Sequence, residues 1–292
     1  MALSIEDGFG KFIATVQPLL GEHLKATSHR DSVKSCLEKN FKCYDFPETG
    51  SFGNGTGVRH YSDTDYFGVC PVEELWSGSE YTLSKFRDAL KKTFWNTDGI
   101  GVNTPAVSIP FGTYASETME VTPAMFNGLI ETPHGKKGYY SIPDFSNGWM
   151  QSSPAAHNSY VSHHDKRLEG KLKPLIQLVK TWKYYNNAPI SSFYLELRTT
   201  KYAEGESSIL YDIDLKNVLK FLADNDLPML QDPMKVSGYV SACSTAAKKE
   251  TALTKIKADA NRAITAVEHR TGDVDEAFRL WDIVFCQKFP SR

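Results

Sequence analysis

The sequence contains no apolar run approaching the 18 residues of a membrane-crossing helix, which excludes a helical membrane anchor. Cysteine is sparse: Cys36, Cys43, Cys70, Cys243 and Cys286 are an odd number, widely scattered, and no two have Cys-x-x-Cys spacing. That excludes a zinc ribbon and a disulfide framework and points to a reducing cytoplasm. Met1 to Gly10 has acids and no basic stretch leading into an apolar core, so no secretory signal is expected. There is no internal repeat and no low-complexity tract. A formal net charge of −2 with a pI near 6.5 excludes a general nucleic-acid coat. Charge is nonetheless uneven, with eight Lys/Arg against three Asp/Glu between Ser162 and Ala203. Such a run is a solvated helix face or a surface for an anion.

What remains is an ordinary globular composition, 41% hydrophobic and 23% charged, in 292 residues. That length serves one large domain or two modest ones sharing a cleft. Helices are expected over Ile5 to Lys25 and Arg30 to Asn40, with Thr27, Ser28 or Asp31 as caps. An extended segment, Phe41 to Glu48, leads into the Gly-rich turn Gly50 to Gly57. Asp63 to Cys70 alternates and is aromatic-rich, so it reads as a strand halted by Pro71. A helix over Thr82 to Trp95 precedes strands at Ala106 to Phe111 and Thr118 to Ala124. Asn127 to Asn158, rich in Gly, Pro, Ser and aromatics, reads as a long irregular connection and as the boundary between lobes.

The second half is largely helical. Leu168, Leu172, Leu175, Val179 and Trp182 form one apolar stripe, which Pro174 should kink or restart. Further helices are expected at Asp214 to Ala223, Ser241 to Arg270 and Val274 to Phe285. Helices, then strands in a row, then helices predict an α+β fold with a mixed sheet. Residues 1–150 would form the core with the N-terminal helices, and 151–292 a helical lobe.

One constellation carries chemistry. Gly50-Ser51 is followed twelve residues after Gly50 by Ser62-Asp63-Thr64-Asp65-Tyr66-Phe67. Side chains alternate along a strand, so Asp63 and Asp65 share a face, with Cβ atoms roughly 6–7 Å apart. Two carboxylates so placed repel unless a cation neutralises them, and hard oxygen ligands select Mg²⁺ or Mn²⁺. Two such ions can activate an attacking hydroxyl and stabilise a leaving pyrophosphate. Gly50 permits close backbone approach, the amides after it can open a helix toward phosphates, and Ser51 adds a hydroxyl. A Gly-rich turn alone is common in surface loops, and an Asp-x-Asp alone is little better; their pairing in this order is far more specific. The third acid is expected at Glu120, with Glu117 the competitor. Apolar Met119 and Val121 on either side place Glu120 opposite a buried face, though alone it reads as an edge-strand glutamate facing solvent.

Gly50-Ser51, Gly55-Thr56, Ser62-Asp63-x-Asp65 and Glu120-x-x-Pro123 together resemble the cGAS/DncV-like nucleotidyltransferases (CD-NTases) of the polymerase-beta-like superfamily. Leu175 to Trp182 and Pro189 to Glu196 look like the helical core of the same family and of oligoadenylate synthases. The resemblance spans about residues 5 to 286. It implies a polymerase-beta-like core with a helical C-terminal lobe and the active site in the cleft between them. It also implies donor-triphosphate binding by Gly50, Ser51, Lys180 and Ser192, base stacking on Phe193, and two metal ions on Asp63, Asp65 and Glu120. Relatives often carry Asp at the third position, so Glu120 departs mildly from the pattern. On residue pattern alone Lys180 reads as an exposed helix lysine and Phe193 as core.

The implied activity is synthesis of a cyclic di- or trinucleotide second messenger from nucleoside triphosphates, with release of pyrophosphate, in bacterial anti-phage (CBASS) signalling. Regulatory or effector proteins of an anti-phage operon would be its partners. The clustered His and Cys of a zinc insertion are missing, and with no overall basic surface this argues against activation by DNA. His157, His163 and His164 have no cysteine pair beside them, and Trp149 reads as a packing anchor. Three other activities use the same residues or scaffold: a linear oligonucleotide synthase, a toxin-like enzyme modifying a protein or tRNA, and a nucleotide sensor without catalysis. The sensor is disfavoured because all three acids are intact.

Overall fold

The computed structural model describes residues 4–19, 27–61, 63–112 and 117–292. The chain divides into two compact units, Pro18–Ser159 and Met1–Gln17 with Tyr160–Arg292. The boundary therefore falls near residue 159, and the first helix groups with the C-terminal helices instead of with a 1–150 core.

That first helix, α1 (Ile5–Val16), is opened by a capping box between Ser4 and Asp7. Its partners explain its placement. Phe9 packs edge-on against Trp281 and Phe289, and Phe12 against Phe285 and Phe289, with centroids 4.5 to 5.3 Å apart. The helix ends at Val16, where Gln17 turns extended, well short of the expected Lys25; positions 20–26 lie outside the described residues.

The sheet unit begins with α2 (Arg30–Phe41). Its N-cap position falls on His29, which makes no side-chain cap bond, and not on Thr27, Ser28 or Asp31. Then come β1 (Glu48–Thr49), the one-turn helix α3 (Gly50–Asn54), β2 (Thr64–Val69) and α4 (Ser79–Thr93). After them run β3 (Gly101–Asn103), β4 (Ala106–Phe111), β5 (Glu117–Thr132), β6 (Gly135–Pro143) and β7 (Trp149–Ser152). Among the described residues these strands form one sheet in the order β1-β2-β5-β4-β3, with β6 on β5 and β7 on β6. β2 and β5 are parallel and the other pairs antiparallel, so the sheet is mixed as expected.

One face of the sheet carries Tyr66, Val107, Ile109, Met119 and Val121, buried beneath Leu37 and Phe41 of α2 and Leu83, Phe86 and Leu90 of α4. Helix and sheet approach closely enough that a Cβ on Gly68 would lie 3.1 Å from Leu37 and 3.2 Å from Phe86.

Residues 127–158 are not an irregular connection. β5 runs on through a bulge at Phe126/Gly128 into a hairpin with β6, and β7 completes a meander. No residue in the outer half of β5 is buried, so no buried face imposes a period of two that the sequence could display. Trp149 does anchor this segment: its indole N–H donates to the carbonyls of Trp76 and Ser77 at 3.3 and 3.1 Å.

α5 (Pro154–Arg167) spans the boundary between the units. The helical unit continues with α6 (Leu172–Tyr185), α7 (Ser192–Ala203) and α8 (Tyr211–Asp224). Strands β8 (Leu230–Gln231) and β9 (Tyr239–Val240) precede α9 (Ala246–Glu268) and α10 (Val274–Val284). The single apolar stripe expected across Leu168 to Trp182 is broken, because the chain turns at Glu169 and Gly170 with positive φ. α6 restarts with Pro174 in its first turn, where the missing amide costs nothing. From Leu175 to Trp182 every residue of α6 is buried, so it is a central helix and not an amphipathic one. The indole of Trp182 donates to Asp259 on α9 at 2.9 Å. Among the described residues no helix is long and apolar enough to cross a membrane.

Candidate active site

The strand register assembles the acidic row. Thr49 on β1 pairs with Asp65 on β2, Asp65 with Glu120 on β5, Glu120 with Ser108 on β4, and Ser108 with Gly101 on β3. Residues paired across a sheet share a face. Asp65 and Glu120 are therefore lateral neighbours, and Asp63, two residues before Asp65, lies on their side. The opposite face is the buried one, with Met119 and Val121 fully enclosed. Along β2 only Asp65 is not buried, since Phe67 and Val69 on its own side are covered by Ala124 and Ile142. The face is thus polar at the start of β2 and apolar at its end.

Like charges act on one another in this row. Burial, and then the negative charge of Glu120, push the Asp63 carboxyl up to about 6. Glu120 accepts a hydrogen bond at 2.9 Å from the side-chain amide of Asn103. Among the described residues no three His, Cys, Asp or Glu side chains form a ready-made metal cage. The donor set nevertheless fits a hard divalent cation: oxygen only, on one face, with excess negative charge that such an ion would neutralise.

Gly50 adds a second sign of construction around this row. It follows Thr49, the partner of Asp65, and has φ +64°. A Cβ there would lie 1.8 Å from Asp65 Oδ2. Only glycine leaves room for that carboxylate, a closer approach than the sequence revealed. Ser51 is the second residue of α3, half-buried, and its carbonyl accepts from the Thr56 amide at 2.9 Å as the turn closes. Glu117, the competing acid, sits at the first position of β5, three residues from the Asp65 row.

In the helical unit the residues expected to contact a nucleotide have unforeseen partners. Lys180 is 2% exposed and forms an ion pair with Glu196, which is also buried. Lys183, nearly one turn further along α6, donates to Ser192 Oγ at 2.5 Å, and the Tyr184 hydroxyl shares a hydrogen bond with the same oxygen at 3.1 Å. Burial, and then the charge of Lys180, bring Lys183 down to about 8. Sequence reasoning passed over Lys183; the available signal was its position three residues after Lys180 on the same helix. Phe193 keeps 37% of its surface exposed while Tyr194 and Leu195 beside it keep none, so it is not core. Of the basic run after residue 162, Arg167 donates to the carbonyls of Ala203 and Glu206, pinning one turn to another. His157 is buried, in keeping with a structural place.

No family model matches the chain. A cyclic AMP-AMP-AMP synthase from an Acinetobacter strain is 27% identical over 183 residues, covering 59% of this chain and 50% of that protein. A probable cyclic nucleotide synthase of Bacillus cereus is 23% identical over 190 residues, covering 64% and 55%. The chain spans about half the length of the curated relatives it matches. Among solved structures, CdnC of Escherichia coli MS115-1 in complex with HORMA-deltaN superposes with a TM-score of 0.76 over 98% of both chains at 15% identity. The same protein with ATP gives 0.74. The fold is that of the CD-NTases, the polymerase-beta-like nucleotidyltransferase fold.

Proposed function

We propose that this chain is a metal-dependent nucleotidyltransferase that joins nucleoside triphosphates into a cyclic di- or trinucleotide second messenger and releases pyrophosphate. The observation that carries this reading is the row Asp63, Asp65 and Glu120 on one face of the sheet, with Gly50 stripped of a side chain against Asp65. The names of both curated relatives support the product class, and the first of them makes ATP the first substrate to try.

In this reading Asp63, Asp65 and Glu120 hold Mg²⁺ or Mn²⁺, two ions in all. When bound, the metal supplies Lewis-acid polarisation of the α-phosphate and neutralises charge on the pyrophosphate. The chain's own groups do the rest. Gly50 and Ser51 bring backbone amides and a hydroxyl to the donor triphosphate, and Glu120 stands beside the acceptor ribose hydroxyl. On the helical unit Lys183 and Ser192 take the phosphate contact, with the Lys180–Glu196 pair beneath them. Phe193 offers a ring to a base, a contact that tolerates any base. Pre-set charges of this kind stabilise phosphoryl transfer without reorganising during the step. A place in anti-phage signalling and a protein regulator complete the proposal. The complex of CdnC with HORMA-deltaN supports the regulator, and a cytoplasmic location fits the free cysteines.

The test is incubation with all four ribonucleoside triphosphates and Mg²⁺ or Mn²⁺, followed by mass spectrometry and nuclease digestion, with Asp63→Ala/Asp65→Ala as the control. A nuclease-resistant cyclic product from the wild type alone is expected. Linear products would make it an oligoadenylate-type synthase, and label on protein or tRNA a toxin-like enzyme. Equal activity in the double variant would remove the mechanism.

A further inference from the structure

The acidic row is uneven in one respect. Asp63 and Asp65 are short, whereas Glu120 carries an extra methylene and one more rotatable bond, and it is only half-buried. An unrestrained glutamate at such a place spreads over several rotamers, and ordering it costs entropy each time a ligand binds. The structure supplies a restraint from an unexpected place. Asn103 ends the edge strand β3, two strands away from β5, and its Nδ2 donates to Glu120 Oε1 at 2.9 Å. The ground between them is low: on the intervening strand β4 Asn103 pairs with Ala106 and Glu120 with Ser108, two small side chains.

We propose that Asn103 is a positioning residue for Glu120, and that this bond is what allows a glutamate to work beside two aspartates; the proposal rests on the catalytic reading above. The chemistry of the donor matters. A carboxylate only accepts, so the amide must present its NH₂. A lysine or arginine here would neutralise the row and compete with a divalent cation. A neutral amide fixes the direction of the carboxylate and leaves its charge intact. It engages one oxygen of a group with about four lone-pair sites, so capacity for a metal ion remains.

The test is a cycle of four proteins, wild type, Asn103→Ala, Glu120→Asp and the double variant, each read by Mn²⁺ affinity in calorimetry, by unfolding midpoint, and by kcat and KM with ATP. Asn103→Ala should weaken Mn²⁺ binding about tenfold, equivalent to about 1.4 kcal/mol, and lower kcat by a similar factor. Its unfolding midpoint and KM should hold. Glu120→Asp is too short to meet the amide, so adding Asn103→Ala to it should change Mn²⁺ affinity by less than twofold. Affinity within twofold of wild type in Asn103→Ala overturns the proposal. A tenfold loss that persists in the Glu120→Asp background overturns it too, because Asn103 would then act on something else. If the wild type binds Mn²⁺ but transfers no nucleotide, the catalytic reading fails and the affinity cycle still decides Asn103. A wild type that binds no Mn²⁺ sinks both.

Discussion

Gly50→Ala should silence catalysis while leaving the fold standing. The added Cβ would lie 1.8 Å from Asp65 Oδ2 and 2.8 Å from Asp65 Cβ. Ordinary contact needs about 3.5 Å, so the carboxylate must retreat by at least about 1.5 Å. Misplacing a reacting group by about 1 Å costs on the order of 100-fold in rate, so kcat should fall by at least that much, or about 2.7 kcal/mol of barrier. The stability cost is smaller: alanine at φ +64° is worth about 1–2 kcal/mol. For a chain this long that shifts the unfolding midpoint by about 2–8 °C. Product formation at 25 °C, followed by chromatography with thermal unfolding in parallel, separates the two effects. Gly53→Ala is the control, on the same short helix, where a Cβ would meet nothing closer than 3.4 Å and φ is not positive. Equal activity in Gly50→Ala and Gly53→Ala would refute the reasoning, since only the first crowds Asp65.

Lys180→Met should destabilise the protein by about 3–5 kcal/mol, because it strands the buried Glu196 carboxylate. Urea unfolding should show most of that loss recovered in Lys180→Met/Glu196→Leu, and a single-variant cost under about 1 kcal/mol would contradict the pairing. For Lys183, held down to about 8 by burial and by Lys180, kcat/KM for the donor should fall as pH rises through 8. Lys183→Arg should stay flat to about pH 10, since its guanidinium does not titrate there. Stability moves the other way. Between about 8 and 10.4 the unfolded lysine holds a proton that the folded one has lost, so unfolding free energy rises with pH across that window. A kcat/KM profile in wild type that is flat to pH 10 would remove Lys183 from the phosphate contact.

The parts of the fold legible in the sequence were those where one face of an element is buried. β4 and α2 have such faces, β2 is buried everywhere but at Asp65, and the ends of all three were placed to within a residue or two. The meander of residues 127–152 was not legible because it buries only Ile142 and Pro143 and a bulge resets the register at Phe126/Gly128. The placement of α1 was hidden for another reason. Phe9 and Phe12 signal that the helix is buried, yet nothing local says that Trp281 and Phe289, more than 260 residues away, bury them. α6 misled through excess: enclosed on all sides, it showed more apolar positions than one stripe needs.

The site divides along the same line. Asp63 and Asp65 share a face because alternation is a local property, and the burial of Met119 and Val121 turned Glu120 to the same side. What no spacing encodes is which residues fill the gaps between elements. Lys180 matches a ligand lysine only through the family resemblance, but a buried helix offers its ammonium only to another buried residue, and Glu196 one turn into α7 takes it. Lys183 then inherits the edge of the helix and the Ser192 hydroxyl. The same logic governs the sheet. Gly50 is a glycine because Asp65 occupies the space where its side chain would be, and Glu120 has an aimed carboxylate because an edge strand two places away supplies an amide. A charged row on an open face is cheap to write in sequence. The residues that keep its members from drifting apart come from elsewhere in the chain, and for that reason Asn103 and Gly50 are sharper tests of this site than the aspartates themselves.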